Sequence, residues 1–305
     1  MFIVIVYRSS HLVSVSALLL AMLLWGSSFV AMKYAFTEME PMIVIFGRMV
    51  VAAIFFLPFL RSFSRLKLTK AHILPLVGMG LFEPCLYFLF EAKALELTSA
   101  SQASMITTML PLLVALAAGV FLGEVITRKV IVGLILAAVG AIWLSLGGAA
   151  SDHAPNPVLG NFLEFLAMVS ATGYIILLKK LSSSLPPFFL TAIQSFIGAV
   201  FFLLVLLVLG VEFPSDPPLS ALLAVLYLGT FVSVGAYGLY NFGVSRVPAN
   251  QAAAFINLIP VCTIVLGFVL LGERLTGWQM VACLLVFTGV IISQDSGRLN
   301  KKKRG

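Results

Sequence analysis

Apolar residues run along this chain in long unbroken tracts, without the alternation of a half-buried strand or the single stripe of a surface helix. Crossing the ~30 Å hydrocarbon layer of a bilayer takes about 20 residues of helix. Polar or Pro/Gly breaks divide the tracts into ten expected spans: 13–36, 42–60, 73–93, 99–122, 130–147, 158–178, 187–209, 219–243, 249–271 and 277–293. The expected fold is therefore an all-α polytopic membrane protein. The opening MFIVIVYRSSHL is apolar but short, lacks a small-residue cleavage site, and reads as a tail over 1–12. A linker is expected over 149–157 and a basic tail over 296–305.

Composition strengthens this picture. Of 305 residues 61% are hydrophobic and 10% charged, with mean hydropathy +1.12; soluble chains carry about 25% charged residues. The net charge of +7 does not mark nucleic-acid binding, because the basic residues sit in short clusters between apolar tracts. Those clusters set direction. Arg8, Arg61, Arg65, Lys67, Lys70, Arg128, Lys129, Lys179, Lys180, Arg246 and the terminal Arg298–Arg304 run fall in alternate connections. Glu38, Glu40, Glu96, Asp152, Glu212 and Asp216 fall in the others. Both termini are thus expected in the cytoplasm. Cys85, Cys262 and Cys283 lie inside apolar tracts without metal-ligand spacing, and His11, His72 and His153 have no ligating neighbours. No metal or other cofactor is indicated.

The chain repeats itself. At an offset of 149, Ala100, Gln102, Ala103, Pro111, Leu122, Gly123, Glu124 and Thr127 recur as Ala249, Gln251, Ala252, Pro260, Leu271, Gly272, Glu273 and Thr276, and Gly140 recurs as Gly289. At an offset of 146, Ala21, Met22 and Lys33 recur as Ala167, Met168 and Lys179. Two units, 13–148 and 158–295, each hold five spans. An odd number turns the second copy upside down relative to the first, and inverted repeats are typical of secondary transporters. WGSSF at 25–29, FGR at 46–48, the Ala-Ser-Gln-Ala lead-in at 100–103 and the two Pro…GE blocks resemble the drug/metabolite transporter superfamily, EamA type. The resemblance implies a ten-helix inner-membrane carrier of small metabolites, often outward. Gln194 stands where the first half has Arg48, so no matching charge is expected there.

Several polar groups lie deep in the spans. Glu83 is ten residues into the third span, roughly 15 Å along it. Such a carboxylate is costly unless it serves a site. Pro84 predicts a kink beside it. Glu83, Tyr87 and Glu91 follow at i, i+4, i+8 and form one stripe. The functional reading has Glu83 facing a central cavity, where it binds a cationic group or takes up a proton; the alternative is a structural carboxyl bonded to a neighbouring helix. Arg48 needs a partner, with Glu91 and Glu164 as candidates by depth, and reads equally as half of a structural pair, a gate or a clamp on a substrate anion. Trp25, Ser27 and Ser28 are candidate cavity groups, although Gly26-Ser-Ser equally suits close packing. Tyr237, Tyr240, Asn241 and Asn257 are candidate polar wall groups. Pro111 and Pro260 are candidate symmetric hinges, Gln102 and Gln251 read as capping or helix–helix groups, and Glu124 and Glu273 as hairpin-structuring groups.

The expected function is secondary transport by alternating access, exporting amino acids or similar small metabolites, with protons as candidate coupling ions. The protein would work as a monomer or a homodimer. Within the class, an uncoupled facilitator and a nucleotide-sugar or sugar-phosphate carrier are the rivals; outside it, a channel. No HExxH, GxGD or serine–base constellation points to an enzyme.

Overall fold

A computed structural model describes residues 2–122, 127–146, 151, 154–247, 252–253 and 255–294. Its described helices are α1 (Phe2–Glu38), α2 (Pro41–Phe63), α3 (Lys70–Leu97), α4 (Ala100–Phe121), α5 (Arg128–Leu146), α6 (Pro157–Leu181), α7 (Pro187–Leu209), α8 (Leu219–Arg246), α9 (Ile256–Leu271) and α10 (Gly277–Gln294). The first eight are long and apolar enough to cross a membrane; α9 and α10 are shorter apolar helices. Large apolar side chains such as Leu74, Phe121, Val208 and Leu219 face outward, as a lipid-facing belt requires. α1 begins at Phe2, while its membrane-length apolar stretch begins at Leu12. Gly123, Glu124, Asp152, His153, Ala249, Gln251 and residues 296–305 lie outside the described residues.

The helices pack in swapped pairs. α1 lies against α8 and α9, and α6 lies against α3 and α4; α2 meets α7, α4 meets α9, and α5 meets α10. A two-fold relation between the repeats produces this pattern, since each helix finds the counterpart of its own neighbour. Where α5 and α10 cross, the matched glycines let the backbones touch. A Cβ on Gly140 would stand 2.9 Å from the Ala282 carbonyl oxygen, and one on Gly289 2.5 Å from that of Gly133.

The helix ends that frame the interior are held by charge. The last carbonyls of a helix lack intrahelical partners and carry partial negative charge. At the end of α3, Lys33 Nζ of α1 donates to the carbonyls of Leu95 (2.5 Å) and Thr98 (2.8 Å). At the end of α8, Lys179 Nζ of α6 donates to those of Val244 (2.7 Å) and Val247 (2.8 Å). The faint match at offset 146 thus marks the same device in both halves. Glu273 supplies the opposite charge at the start of α4, accepting from Ala100 N–H (2.8 Å), Ser101 N–H (2.9 Å) and the Ser101 hydroxyl (2.5 Å). A helix N-terminus offers free N–H groups and positive potential, so this hairpin acid caps the helix. The α3–α4 turn is therefore gripped by a cation on its carbonyl side and an anion on its amide side.

Candidate functional site

Pro84 has no N–H to continue the helix, and α3 breaks beside it. The Glu83 backbone is extended (φ −148°, ψ 118°) and the Glu83–Pro84 peptide is cis. α7 presses into the break at Gly198, where a Cβ would meet Pro84 Cγ at 2.6 Å. Gln194 of α7 donates from Nε2 to the Glu83 carbonyl (3.3 Å). α8 loosens over the corresponding stretch, Leu228–Ala236. There Arg48 of α2, the counterpart of Gln194 at offset 146, donates from Nε to the Ser233 hydroxyl (3.0 Å). Each second helix of a repeat thus braces the interrupted third helix of the other repeat.

Between these two interruptions lies a cavity of about 40 Å³ lined by α1, α2, α3, α4, α6, α8 and α9, with room for a few waters. α4 and α9 meet it at matched tightened turns. Pro111 cannot donate to the Thr107 carbonyl, nor Pro260 to that of Ile256. Leu110 N–H and Ile259 N–H, three residues on from those carbonyls, take the bonds instead. Thr107, Leu110, Ile256 and Ile259 all line the cavity.

The polar lining is unequal. Glu83 is 4% exposed and its Oε1 accepts from the Tyr237 hydroxyl (2.5 Å). Tyr87 donates to Glu91 Oε1 (2.7 Å), while Glu91 Oε2 is buried without a hydrogen-bond partner. Arg48 is 1% exposed; besides Ser233 it meets Met32 Sδ (3.2 Å) and stacks over the Phe88 ring at 4.4 Å. No carboxylate lies at ion-pair distance from it among the described residues. The expected pairing with Glu91 or Glu164 is therefore corrected: a hydroxyl, a thioether and an aromatic face hold the guanidinium, leaving N–H donors for something else. Trp25 packs on Tyr237 and Tyr240 at 5.1 and 4.8 Å between ring centroids, with its indole N–H and the Tyr240 hydroxyl both unpartnered. Ser28 lines the cavity while donating to the Trp25 carbonyl (2.8 Å). The arrangement offers one guanidinium and two carboxyls across an aromatic-walled space.

Of the expected site residues, Trp25, Ser28, Arg48, Glu83, Tyr87, Glu91, Tyr237 and Tyr240 come together here. Asn241 does not. It is fully buried behind the wall, accepting from Tyr174 OH (2.5 Å) and donating to Thr191 Oγ1 (2.9 Å) and Gln194 Oε1 (3.1 Å). Asn257 also lies off the cavity, half-buried, while its neighbour Ile256 lines it. Gln102 makes a helix–helix bond to Asn161 Nδ2 (3.1 Å). Phe88, Met168, Tyr174 and Ser233 were not singled out from the sequence. The repeat register could have found two of them, since Phe88 pairs with Tyr237 at offset 149 and Tyr174 with Ser28 at 146.

The chain matches the EamA-like transporter family over residues 12–146 and 158–293. It is 28% identical to the uncharacterized transporter YetK of Bacillus subtilis (strain 168), covering 90% of this chain and 84% of that one. It is 25% identical to the "Probable amino-acid metabolite efflux pump" of Salmonella typhimurium, over 94% of this chain and 96% of that one. A solved crystal structure shares the fold with TM-score 0.65 at 21% identity, over 95% of this chain and 98% of its own.

Proposed function

The chain belongs to the EamA-like transporter family, and on that premise we propose that it is a secondary transporter of the bacterial inner membrane. It exports amino acids or similar small metabolites by alternating access. All ten helices cross the bilayer, the two halves are inverted, and both termini are cytoplasmic, as the distribution of Lys and Arg supports. The observation that carries the substrate class is the uneven cavity. Among the described residues Arg48 has no carboxylate partner, and Glu83 and Glu91 share the same aromatic-walled space. A guanidinium recognises a carboxylate through paired N–H donors, and a carboxyl recognises an ammonium, so the pair fits a zwitterion. The Salmonella relative's printed name supports the same class. At about 40 Å³ the cavity holds water rather than an amino acid, so binding requires the halves to part. The tightened turns before Pro111 and Pro260 are the places where α4 and α9 bend.

Glu83 is the group expected to meet the substrate ammonium or the coupling proton. Purified protein in liposomes, offered a panel of amino acids under an imposed proton gradient, tests this. Glu83→Gln should abolish accumulation; full activity with unchanged pH dependence in that variant removes Glu83 from the mechanism. A wild-type protein that equilibrates amino acids but never accumulates them is an uncoupled facilitator.

A further inference from the structure

Glu164 on α6 is the buried acid left without a role. It is 0% exposed, and neither of its carboxyl oxygens has a hydrogen-bond partner. An ionised carboxylate in that condition costs several kcal/mol. Packing does not call for an acid here. At offset 146 the first half places Leu18, also 0% exposed, which fills the space over Gly243 of α8. One half thus fills this buried position with a leucine and the other with a carboxyl.

The surroundings narrow the role. From α3, which packs along α6, come Glu91, Tyr87 and, at the break, Glu83. α4 contributes no titratable side chain. α5 contributes only Arg128 and Lys129, at the opposite end from Ser145, which bonds Asn161 one turn before Glu164. α8 brings Tyr237 and Tyr240. Lys33 is engaged by the Leu95 and Thr98 carbonyls. α3 and α6 run antiparallel, with Gly160 packed on Ala94 and Thr98 and the Ser170 hydroxyl donating to the Phe82 carbonyl, a register that sets Glu91 level with Glu164; Glu91 lines the cavity, and its Oε2 is an acceptor with no donor. Glu83 is differently placed, with Oε1 bonded by Tyr237. Among the lining residues Arg48 is the one cation, set against Glu83 and Glu91 at the wall and Glu164 behind it.

We propose that Glu164 holds the coupling proton of the transport cycle and exchanges it with the cavity through Glu91. The O–H bond of Glu164 breaks as one forms on Glu91 Oε2; the bonding pair stays on the Glu164 oxygen, so only H⁺ moves. Burial off the cavity keeps the proton from solvent, while Glu91 exposes it to whichever side the cavity faces. Intramembrane carboxyl relays are a recognised use of such residues. The proposal rests on the transport reading above and leaves Glu83 free to take the substrate ammonium.

Infrared spectroscopy of the substrate-free, full-length protein in liposomes tests it without any substrate. The carbonyl-stretch band of protonated carboxyls should lose one component in Glu164→Leu, which copies Leu18, and in the isosteric Glu164→Gln; Glu83→Gln should keep that component. An unchanged band in either folded variant overturns the proposal. In the same liposomes, folded Glu164→Leu should exchange amino acids yet no longer accumulate them under a proton gradient, and retained accumulation also overturns it. A wild-type protein that carries the Glu164 component but moves no amino acid counts against the transport reading, not against the protonated Glu164.

Discussion

The two halves of this protein meet the cavity with equivalent positions and different chemistry. Lys33 and Lys179 do the same work, each closing the carbonyl end of the third helix of its own half. Arg48 and Gln194 brace opposite third helices in the same way, yet one carries a charge and the other none. At offset 149 Phe88 corresponds to Tyr237 and Glu91 to Tyr240, and all four line the cavity. Features shared by both copies hold the scaffold; features present in one copy set the chemistry of the cavity wall. The counterpart residue at each position also shows which substitution the fold already tolerates.

The largest effect expected from breaking this symmetry is on the scaffold. Lys33→Met removes two charge-assisted bonds from a buried helix end and should destabilise the protein by about 3 kcal/mol. Thermal unfolding in detergent measures it, and an unchanged midpoint would show that the α3 carbonyls find other donors. Next comes Arg48→Gln, which gives the first half the residue of the second. The protein should fold, because Gln194 already serves this position, while amino-acid transport falls about 10–100-fold with loss of a charged recognition group. Liposome uptake decides the point; wild-type rates would make Arg48 purely a brace.

How much of this was legible in the sequence follows from what each signal measures. Hydropathy reads length and apolarity, so the long helices and the repeat were recoverable from it, and Pro84 announced the break at Glu83. Orientation is harder. Helical periodicity carries direction only along an unbroken helix, and α8 loosens over Leu228–Ala236. Asn241, beyond that stretch, turns away from the cavity into a bond network with Tyr174 and Thr191. Ser233 lies inside the stretch and receives Arg48, a partner that depth alone could not supply. Depth did place Glu164 near Arg48, but the structure gives that arginine an aromatic face and a thioether. The clue to Glu164 was its counterpart Leu18, visible once the offset of 146 is applied along the first helix of each half.

A smaller change sharpens the cavity comparison. Tyr237→Phe installs the residue that the first half carries as Phe88. The ring and its packing on Trp25 remain, and the hydroxyl donated to Glu83 Oε1 is lost. Transport should fall roughly tenfold, the worth of one hydrogen bond to a charged group, with the unfolding midpoint little changed. A wild-type rate would mean that Tyr237 does not position Glu83 for substrate.

The smallest expected effect returns to the lysines. Lys33 is buried at 9% exposure, whereas Lys179 is only half-buried, with Lys180 exposed beside it. Each donates two bonds of similar length to the carbonyls of its helix end, so those bonds alone predict equal losses. Desolvation predicts otherwise. Where water reaches the helix end, carbonyls released by Lys179→Met can be hydrated, and the net cost of losing the bonds drops to about 1 kcal/mol. At the drier Lys33 end the released carbonyls stay unsatisfied. Lys179→Met should therefore lower the unfolding midpoint by about a third as much as Lys33→Met, and salt should weaken the Lys179 effect more. Equal shifts would show that geometry at the two helix ends, and not their access to water, sets the strength of the clamp.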